Sequence, residues 1–418
     1  MRAADGTAAR LRWLGGGFPA LRHRNFRLFA AGQGISLIGF WMQSVAQGWL
    51  VYRLSGSALQ LGAVAFAAYL PILCLAPVAG VVVDRMPRRQ VMLVTQTGLM
   101  LLALALGLVA AAGTVTVPLV IALAAGVGLL SAFDVPARQA FLVEMVGSAD
   151  LPGAIALNSS LFNTARVVGP ALAGSLVGAV GEAPCFLLNA ASYVAVIAAL
   201  AAMRLPPAAP RPAPPALADG LRSGIRYVWR HPSLRNLLLL LGVISGFGIQ
   251  YQVLMPVFAR TVFGAGAAEY GLLLTAAGLG ALASGLGLAW RESSRAQQRR
   301  NLVLGLAVFT AGVLGVALSP SLPAAVACQA FAGFGMIRYT ATTNTLLQLI
   351  VDDRFRGRVM GLHTVMFLGM GPVGGLALGA LADAWGARLA AAVSGGVSLA
   401  GAVWLALRLR RLGPPPAA

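Results

Sequence analysis

The stretch G-V-V-V-D-R-M-P-R-R-Q-V-M, from Gly80 to Met92, decides how the chain is organised. It contains one acid and three arginines and lies between two long apolar runs. An apolar helix of about 20 residues crosses a bilayer, so this stretch predicts a turn between two membrane spans. Short arginine-rich loops stay in the cytoplasm, and this turn therefore predicts the orientation of the whole chain.

The composition also indicates a membrane protein. Of the 418 residues, 58% are hydrophobic and only 10% are charged, whereas about 25% are charged in a soluble domain. The net charge of +19 comes from arginines clustered at the ends of apolar runs. This arrangement predicts cytoplasmic anchoring and contact with anionic lipid headgroups, and argues against nucleic acid as a partner.

Several kinds of chemistry have no support in the residue types. All 31 basic residues are arginine, and a phosphate-binding loop for ATP requires a lysine. The isolated Cys74, Cys185 and Cys328 form no metal-ligand or disulfide pattern. We therefore expect no metal, no ATP, no other cofactor and no enzyme activity, and we expect any uphill movement of a solute to draw on an ion gradient.

Apolar length and flanking charge predict twelve spans in two sets of six. They are about Arg27–Tyr52, Leu59–Val83, Gln90–Gly113, Val117–Ala140, Ile155–Val180 and Ala183–Met203, then Leu234–Ala259, Ala268–Trp290, Asn301–Ser319, Pro323–Leu347, Gly361–Leu381 and Arg388–Leu407. The predicted domains are a cytoplasmic segment 1–26, a six-helix bundle 27–203, a cytoplasmic linker 204–233, a second bundle 234–407 and a cytoplasmic tail 408–418.

The arginine distribution predicts that both termini are cytoplasmic, because alternate loops and both ends are rich in arginine. The opposite side has only Arg53, Arg260 and Arg388. Between the sets, Leu205–Pro215 is rich in proline and alanine and predicts a stiff linker. After it, apolar residues recur at helical spacing beside arginines, which predicts an amphipathic helix on the inner membrane face, or otherwise a plain spacer.

The two halves share a sequence pattern. Gly169-Pro170 in the fifth predicted span matches Gly371-Pro372 in the eleventh, and each follows a charged segment. Repeated halves are typical of transporters that bind substrate near the midplane between the repeats.

The chain resembles the major facilitator superfamily over nearly its whole length. Gly80–Met92 resembles the superfamily motif between helices two and three, although its second-half counterpart around Gly285–Arg300 lacks the acid. Ala165–Gly174 resembles the fifth-helix motif of the antiporters, with Ala165 and Ala173 in place of two glycines. Asp134–Phe141 and Arg356–Leu362 are similar to the bacterial branch that contains the enterobactin exporter and macrolide-efflux relatives.

The resemblance implies an all-α membrane protein of twelve helices, built as two six-helix bundles related by a pseudo-two-fold axis. It implies a secondary transporter that works by alternating access as a monomer in a bacterial-type cell membrane. Its partners would be the lipid bilayer and a small molecule, such as a siderophore, drug or metabolite, exported by proton antiport. The alternatives are an uptake permease of the same fold, an intramembrane enzyme and a passive channel.

A first group of residues is predicted to form a cytoplasmic gate. A carboxylate near a helix N-terminus is stabilised by about 0.3–1 kcal/mol, and the resemblance places Asp84 at the start of the eleventh span, near Gly357–Gly361. There it would latch the two bundles, whereas the alternative is a role in topology and folding alone. The predicted gate residues are Asp84, Arg85, Arg88, Arg89, Asp134, Arg138 and Glu144, with Arg85 or Arg88 pairing with Asp134 or Glu144.

A second group is predicted to line the substrate cavity. Arg166 lies near the middle of the fifth span, where an unpaired cation is costly and is usually functional. It would meet an anionic substrate or help to set a proton site, or else form a structural pair. Glutamines with aromatic neighbours suit bulky, partly polar ligands, although glutamines also join helices by hydrogen bonds. The predicted cavity residues are Gln33, Gln43, Gln47, Arg166, Gln250, Tyr251, Gln252, Arg338 and Asn344.

Two smaller predictions complete the set. His363, early in the eleventh span, is a group that titrates between about pH 5 and 8, or else a packed histidine. The predicted helix-packing residues are Gly169, Pro170, Gly174, Gly371 and Pro372.

Overall fold

The computed structural model describes residues 19–204, 217–289 and 294–411, and these residues form helices joined by short turns, with no strand among them. The predicted segment before residue 19, the linker 205–216 and the tail after residue 411 lie outside the described residues. The helices are α1 (Arg24–Ser55), α2 (Ala58–Arg85), α3 (Arg88–Ala111), α4 and α5 (the two parts of Val117–Val180), α6 (Ala183–Ala202), α7 (Leu217–Arg230), α8 (Pro232–Val262), α9 (Ala267–Ala289), α10 (Arg295–Leu318), α11 (Leu322–Ile350), α12 (Arg356–Trp385) and α13 (Ala387–Arg411).

The boundary between α4 and α5 differs from the prediction. The fourth span does not end near Ala140, nor does the fifth begin near Ile155, because the helix runs from Val117 to Val180 with a single break at Gly147. Gly147 has φ 72°, a left-handed conformation that glycine adopts without steric cost. We call 117–146 α4 and 148–180 α5. The charged residues at this junction do not end the helix, because they form ion pairs such as that of Arg138 with Asp134 at 2.9 Å.

Twelve helices are arranged as membrane spans, six before α7 and six after it. Within the described residues, nine helices are long and apolar enough to cross a bilayer, and one of these is the 64-residue helix that contains both α4 and α5. The more polar α1 and α11 pack among them. A backbone in lipid must satisfy its hydrogen bonds within each segment, which is why long apolar runs become helices.

The spans form two bundles, α1–α6 and α8–α13, and the most extensive contacts between them are two helix pairs. In these pairs α2 packs against α12, and α5 packs against α9. Both contacts depend on glycine: a Cβ on Gly62 would lie 2.5 Å from the Gly375 carbonyl oxygen, and one on Gly271 would lie 2.6 Å from that of Pro170. Each pair joins the second span of one bundle to the fifth span of the other, as a pseudo-two-fold axis requires.

The predicted amphipathic helix is present as α7, and it packs against the second bundle. Val228 is buried in an apolar cluster with residues of α8, α11 and α12. The Tyr227 ring stacks on Phe355 at 4.1 Å, and its hydroxyl donates to an Asp352 carboxylate oxygen at 3.1 Å. The helix therefore docks on the segment that leads into α12.

The two ends of the bundles differ in charge. We call the end that carries the turns at 86–87, 147 and 351–355 the arginine-rich end. The other end carries the turns at 56–57, 112–116, 181–182, 263–266, 319–321 and 386, and we call it the arginine-poor end.

Candidate functional site

A cavity of about 440 Å³ lies between the two bundles. Residues of α1 and α2 line it on one side, and residues of α8 and α9 line it on the other. The aromatic residues of its wall are Phe40, Trp41, Tyr69, Tyr193 and Tyr270, and its amides are Gln43, Gln47, Asn189, Gln250 and Gln252. Among the described residues, no charged side chain belongs to this lining. The cavity therefore offers apolar surface and neutral hydrogen-bonding groups.

The geometry of α8 explains which of its residues reach the cavity. The segment Ile249–Leu254 is a 3₁₀ helix, which has three residues per turn, so that every third residue shares a face. Gln250 and Gln252 lie on two faces that line the cavity, whereas Tyr251 lies on the third face and is 0% exposed. The Tyr251 hydroxyl donates to Gln329 at 2.6 Å. Tyr251 was predicted in the cavity, but the structure places it behind the wall.

Three other predicted cavity residues lie outside the lining. Gln33 is 3% exposed and lies on α1 toward the arginine-rich end, about 15 Å along the helix from Gln43. Arg338 donates to the Asn301 side chain at 2.8 Å, and the Asn344 side chain accepts a hydrogen bond at 3.2 Å from Gln348. Both contacts are within the second bundle.

Arg166 lies behind the cavity wall, near the middle of α5. Only 9% of its surface is exposed. Its guanidinium lies 5.7 Å from the centre of the Trp41 ring and donates weakly to the Met336 sulfur at 3.8 Å. In the described part of the chain, no carboxylate forms an ion pair with it.

The predicted gate residues at the arginine-rich end contact their own bundle. Arg88 pairs with Glu144 at 3.0 Å, which is one of the predicted pairs, and with Asp84 at 3.7 Å. Arg89 donates to the carbonyl oxygens of Leu200 and Ala201 at the end of α6, at 2.7 and 2.8 Å. A cation there stabilises the helix C-terminus.

Asp134 is a buried member of the same group, with 2% exposure. It pairs with Arg138 on the next turn of α4, and it accepts hydrogen bonds from Thr95 at 2.9 Å and Gln96 at 2.8 Å. It therefore joins α4 to α3, and neither Arg85 nor Arg88 is its partner.

The predicted contact between Asp84 and α12 is open in this structure. The Asp84 side chain is 49% exposed, and in the described residues its ion pair is with Arg88 alone. A Cβ on Gly357 or Gly361 would meet no atom within 4 Å. The start of α12 is therefore accessible rather than covered by α2.

A carboxylate that sequence reasoning missed closes the arginine-poor end. Asp383, on α12, accepts hydrogen bonds from the Ser57 hydroxyl at 2.5 Å, the Ala58 amide at 2.6 Å and the Leu59 amide at 3.1 Å. It thus caps the N-terminus of α2 and joins the two bundles. The available signal was an acid near the end of the eleventh span, on the side of the membrane with few charges.

The glycine-proline pairs occupy equivalent places in the two bundles. A Cβ on Gly169 would lie 2.5 Å from that of Trp41 on α1, and one on Gly371 would lie 2.6 Å from the Gln250 amide on α8. Each pair thus lies where the fifth span of a bundle meets its first. Gly174 faces Gly271 across the bundle contact, and Pro170 and Pro372 follow their glycines in the same helices. His363 stacks on Phe367 at 6.1 Å.

Comparison with known proteins agrees with this architecture. The model of a family described as transmembrane secretion effectors matches residues 15–414. The chain belongs to this family. It is therefore a multi-pass membrane transporter of the major facilitator superfamily, as predicted, and the predicted fold class of two six-helix bundles is confirmed. Transporters of this superfamily generally need no cofactor.

Individual relatives of this transporter cover most of its length. The multidrug efflux pump Tap of Mycolicibacterium fortuitum is 32% identical over 372 residues, which cover 85% of this chain and 87% of Tap. The enterobactin exporter EntS of Citrobacter koseri is 27% identical over 94% of both chains. The crystal structure of a bacterial homologue of the human lysosomal transporter Spinster superposes with a TM-score of 0.71 at 15% identity, over 94% of this chain and 99% of the other.

Proposed function

We propose that this transporter exports amphiphilic small molecules through the cavity between its bundles. The observation that carries the proposal is the wall of that cavity, which contains five aromatic residues and five amides, with no charged residue among the described residues. Aromatic and amide groups suit ligands that are bulky and partly polar. Siderophores, drugs and lipophilic metabolites all have this character.

The direction of transport is supported by the relatives, which include a multidrug efflux pump and a siderophore exporter. The arginine-rich end is the cytoplasmic end under the positive-inside rule, with both termini on that side of the cell membrane. The protein works as a monomer and uses the proton gradient, with protons moving inward as the substrate moves outward. The bundles correspond to 27–203 and 234–407, joined by the cytoplasmic linker 204–233.

The state of the two ends supports a mechanism of alternating access. At the arginine-poor end α2 and α12 are in contact, and Asp383 caps the start of α2. At the arginine-rich end Asp84 and the start of α12 are exposed. This is an inward-facing state, and the outward-facing state forms when the bundles rock, so that the Asp383 contacts open and Asp84 caps the start of α12.

The test compares small molecules inside and outside cells that lack the protein with those of cells in which it has been restored. An exported compound accumulates inside the deficient cells and is missing from their medium. The variants Gln47→Ala and Gln252→Ala should reduce export of that compound, whereas the control Gln297→Ala, outside the cavity at the start of α10, should not. The opposite distribution of the compound would show an uptake permease.

Coupling to protons is tested separately in the same cells. A protonophore that collapses the proton gradient should stop export of the identified compound. Export that continues at the same rate would contradict proton antiport while leaving the export function in place.

A further inference from the structure

We infer that Arg166 is the anion-binding position of the transport pathway. It takes an anionic oxygen group of the carboxylate class, while the apolar remainder of the same molecule occupies the aromatic cavity. The inference rests on the proposed function and narrows its substrate class to amphiphiles that carry a negative group.

Charge balance at Arg166 supports this assignment. Arg166 is 9% exposed and lies in the membrane interior, where an arginine is costly unless a partner satisfies it. Its contacts are the face of the Trp41 ring and the sulfur of Met336. Both are weak, uncharged acceptors. Within the described residues, the chain supplies no oxygen acceptor for this guanidinium.

Other arginines of the protein are paired with an oxygen acceptor. Arg53 pairs with Glu182 at 2.7 Å, and Arg138 pairs with Asp134 at 2.9 Å. Arg338, within α11, donates to the side-chain oxygen of Asn301 at 2.8 Å. A guanidinium binds a carboxylate through two parallel hydrogen bonds, and Arg166 has donors available for such a ligand.

Trp41 connects Arg166 to the cavity. Its side chain lines the cavity, and the same ring lies against Arg166. Its indole Nε1 is buried and has no acceptor among the residues that the structure describes, although a buried indole N–H usually has one. Two donor groups without an oxygen acceptor thus adjoin one wall of the cavity. This arrangement points to a ligand that brings the acceptor with it.

Arg166 lies where the two bundles meet. It belongs to α5, and its partner Met336 belongs to α11 of the second bundle. The backbone at Arg166 packs so closely on α9 that a Cβ on Gly278 would lie 2.8 Å from the Arg166 carbonyl oxygen. A group bound at Arg166 would therefore contact the moving junction of the two bundles, as a transported substrate must.

The test uses two probes of matched size, 2-naphthoate and its neutral analogue 2-naphthamide. Their binding to the full-length protein in lipid nanodiscs is measured by titration calorimetry. We expect naphthoate to bind about tenfold more tightly than naphthamide. The variant Arg166→Gln should abolish this preference while it retains naphthamide binding, and Arg166→Lys should keep most of it. The control Arg388→Gln removes the same charge from an arginine that packs on Phe263 at the arginine-poor end, and it should behave like wild type.

Each remaining outcome decides the matter. An equal preference for naphthoate in wild type and Arg166→Gln would overturn the inference but leave the cavity, and with it the proposed function, intact. Binding of neither probe to wild type would overturn both. If Arg166→Gln does not fold, loss of the preference in the charge-retaining Arg166→Lys would also contradict the inference.

Competition with chloride and acetate shows whether the anion that binds at Arg166 is part of an amphiphile or is a free small anion. If a roughly 100-fold excess of each salt fails to displace naphthoate, the anionic group belongs to an amphiphile. Displacement by chloride in wild type but not in Arg166→Gln shows a small inorganic anion at the same position.

Discussion

Each end of the α2–α12 pair has an acid of one helix near the N-terminus of the other, and this acid forms a helix cap at one end but not at the other. At the arginine-poor end, Asp383 of α12 caps the first amides of α2, and glycines bring the two backbones into contact. At the arginine-rich end, Asp84 of α2 is 49% exposed and no atom covers Gly357 at the start of α12. Because the helices are antiparallel, each has an acid near its C-terminal end that lies beside the N-terminus of the other. One cap is made and the other is open, which is what alternating access requires of a pair that cannot close at both ends.

The largest effect should come from a substitution that sterically separates α2 from α12 at the closed end. In Gly62→Leu the new Cβ would lie 2.5 Å from the Gly375 carbonyl oxygen, so α2 and α12 cannot stay in contact there. Overpacking costs about 1–3 kcal/mol, which is about five- to 140-fold in the population of the inward-facing state. Spin labels at Thr114 and Ser321, both exposed at the arginine-poor end, should move apart, and export should nearly stop.

The matched control for that prediction is Gly178→Leu. A Cβ on Gly178 meets no atom within 4 Å, so the same substitution should leave the label distance unchanged. If both variants behave alike, the change reflects helix propensity rather than the contact between bundles.

A smaller effect is expected from Asp383→Asn, which removes the charge but retains the shape of the side chain. Hydrogen bonds to a charged group contribute about 1.5–3 kcal/mol, and less where water reaches the group, as it does at the exposed Asp383. We expect the inward-facing population to fall about fivefold relative to the outward-facing one. The measurement is the same label pair, and an unchanged distance distribution would show that Asp383 does not hold the closed end.

The opposite end gives a prediction of the opposite sign. Asp84→Asn should increase the inward-facing population and slow export by about threefold, while insertion into the membrane stays normal. Combined with Asp383→Asn, it should bring the distance distribution back toward that of wild type, because the two substitutions act on the same equilibrium in opposite directions. Normal export by Asp84→Asn at normal abundance would refute the cap.

The smallest effect is expected from a pair within one bundle. Glu144→Gln breaks the contact of Arg88 with Glu144, whose side chains are 14% and 28% exposed. Both partners move together, so the balance between states should not change, and the loss of stability should be at most about 1 kcal/mol. A thermal melt together with the label distances would check this. A shift in those distances would contradict the expectation that this pair does not affect the balance between the two states.

The fold was largely predictable because its signals are local. A run of apolar residues with arginine at one end determines a span and its direction without any long-range information. The junction of α4 and α5 was harder to predict, because the charged residues that suggested a loop are satisfied by partners in space. Asp134 is bonded by Thr95 and Gln96 of α3, and nothing in the spacing along the chain reveals that.

A cavity residue was predicted correctly only where both its face of the helix and its position along the helix were predicted correctly. Gln43 and Gln47, one turn apart on α1, both line the cavity, whereas Gln33 lies too far toward the arginine-rich end. Tyr251 was misplaced because α8 changes to a 3₁₀ helix at that point, and its sequence gives no sign of the change. Asp383 was missed because its partners at the start of α2 are more than 320 residues away in the chain.

The 3₁₀ segment of α8 has a further consequence for motion. A 3₁₀ helix rises about 2.0 Å per residue and an α-helix about 1.5 Å. The six residues Ile249–Leu254 would therefore shorten by about 3 Å, and turn about 120° less, if they became α-helical. Such a screw displacement within one helix would re-aim the amides of Gln250 and Gln252 and would move one end of α8 relative to the other.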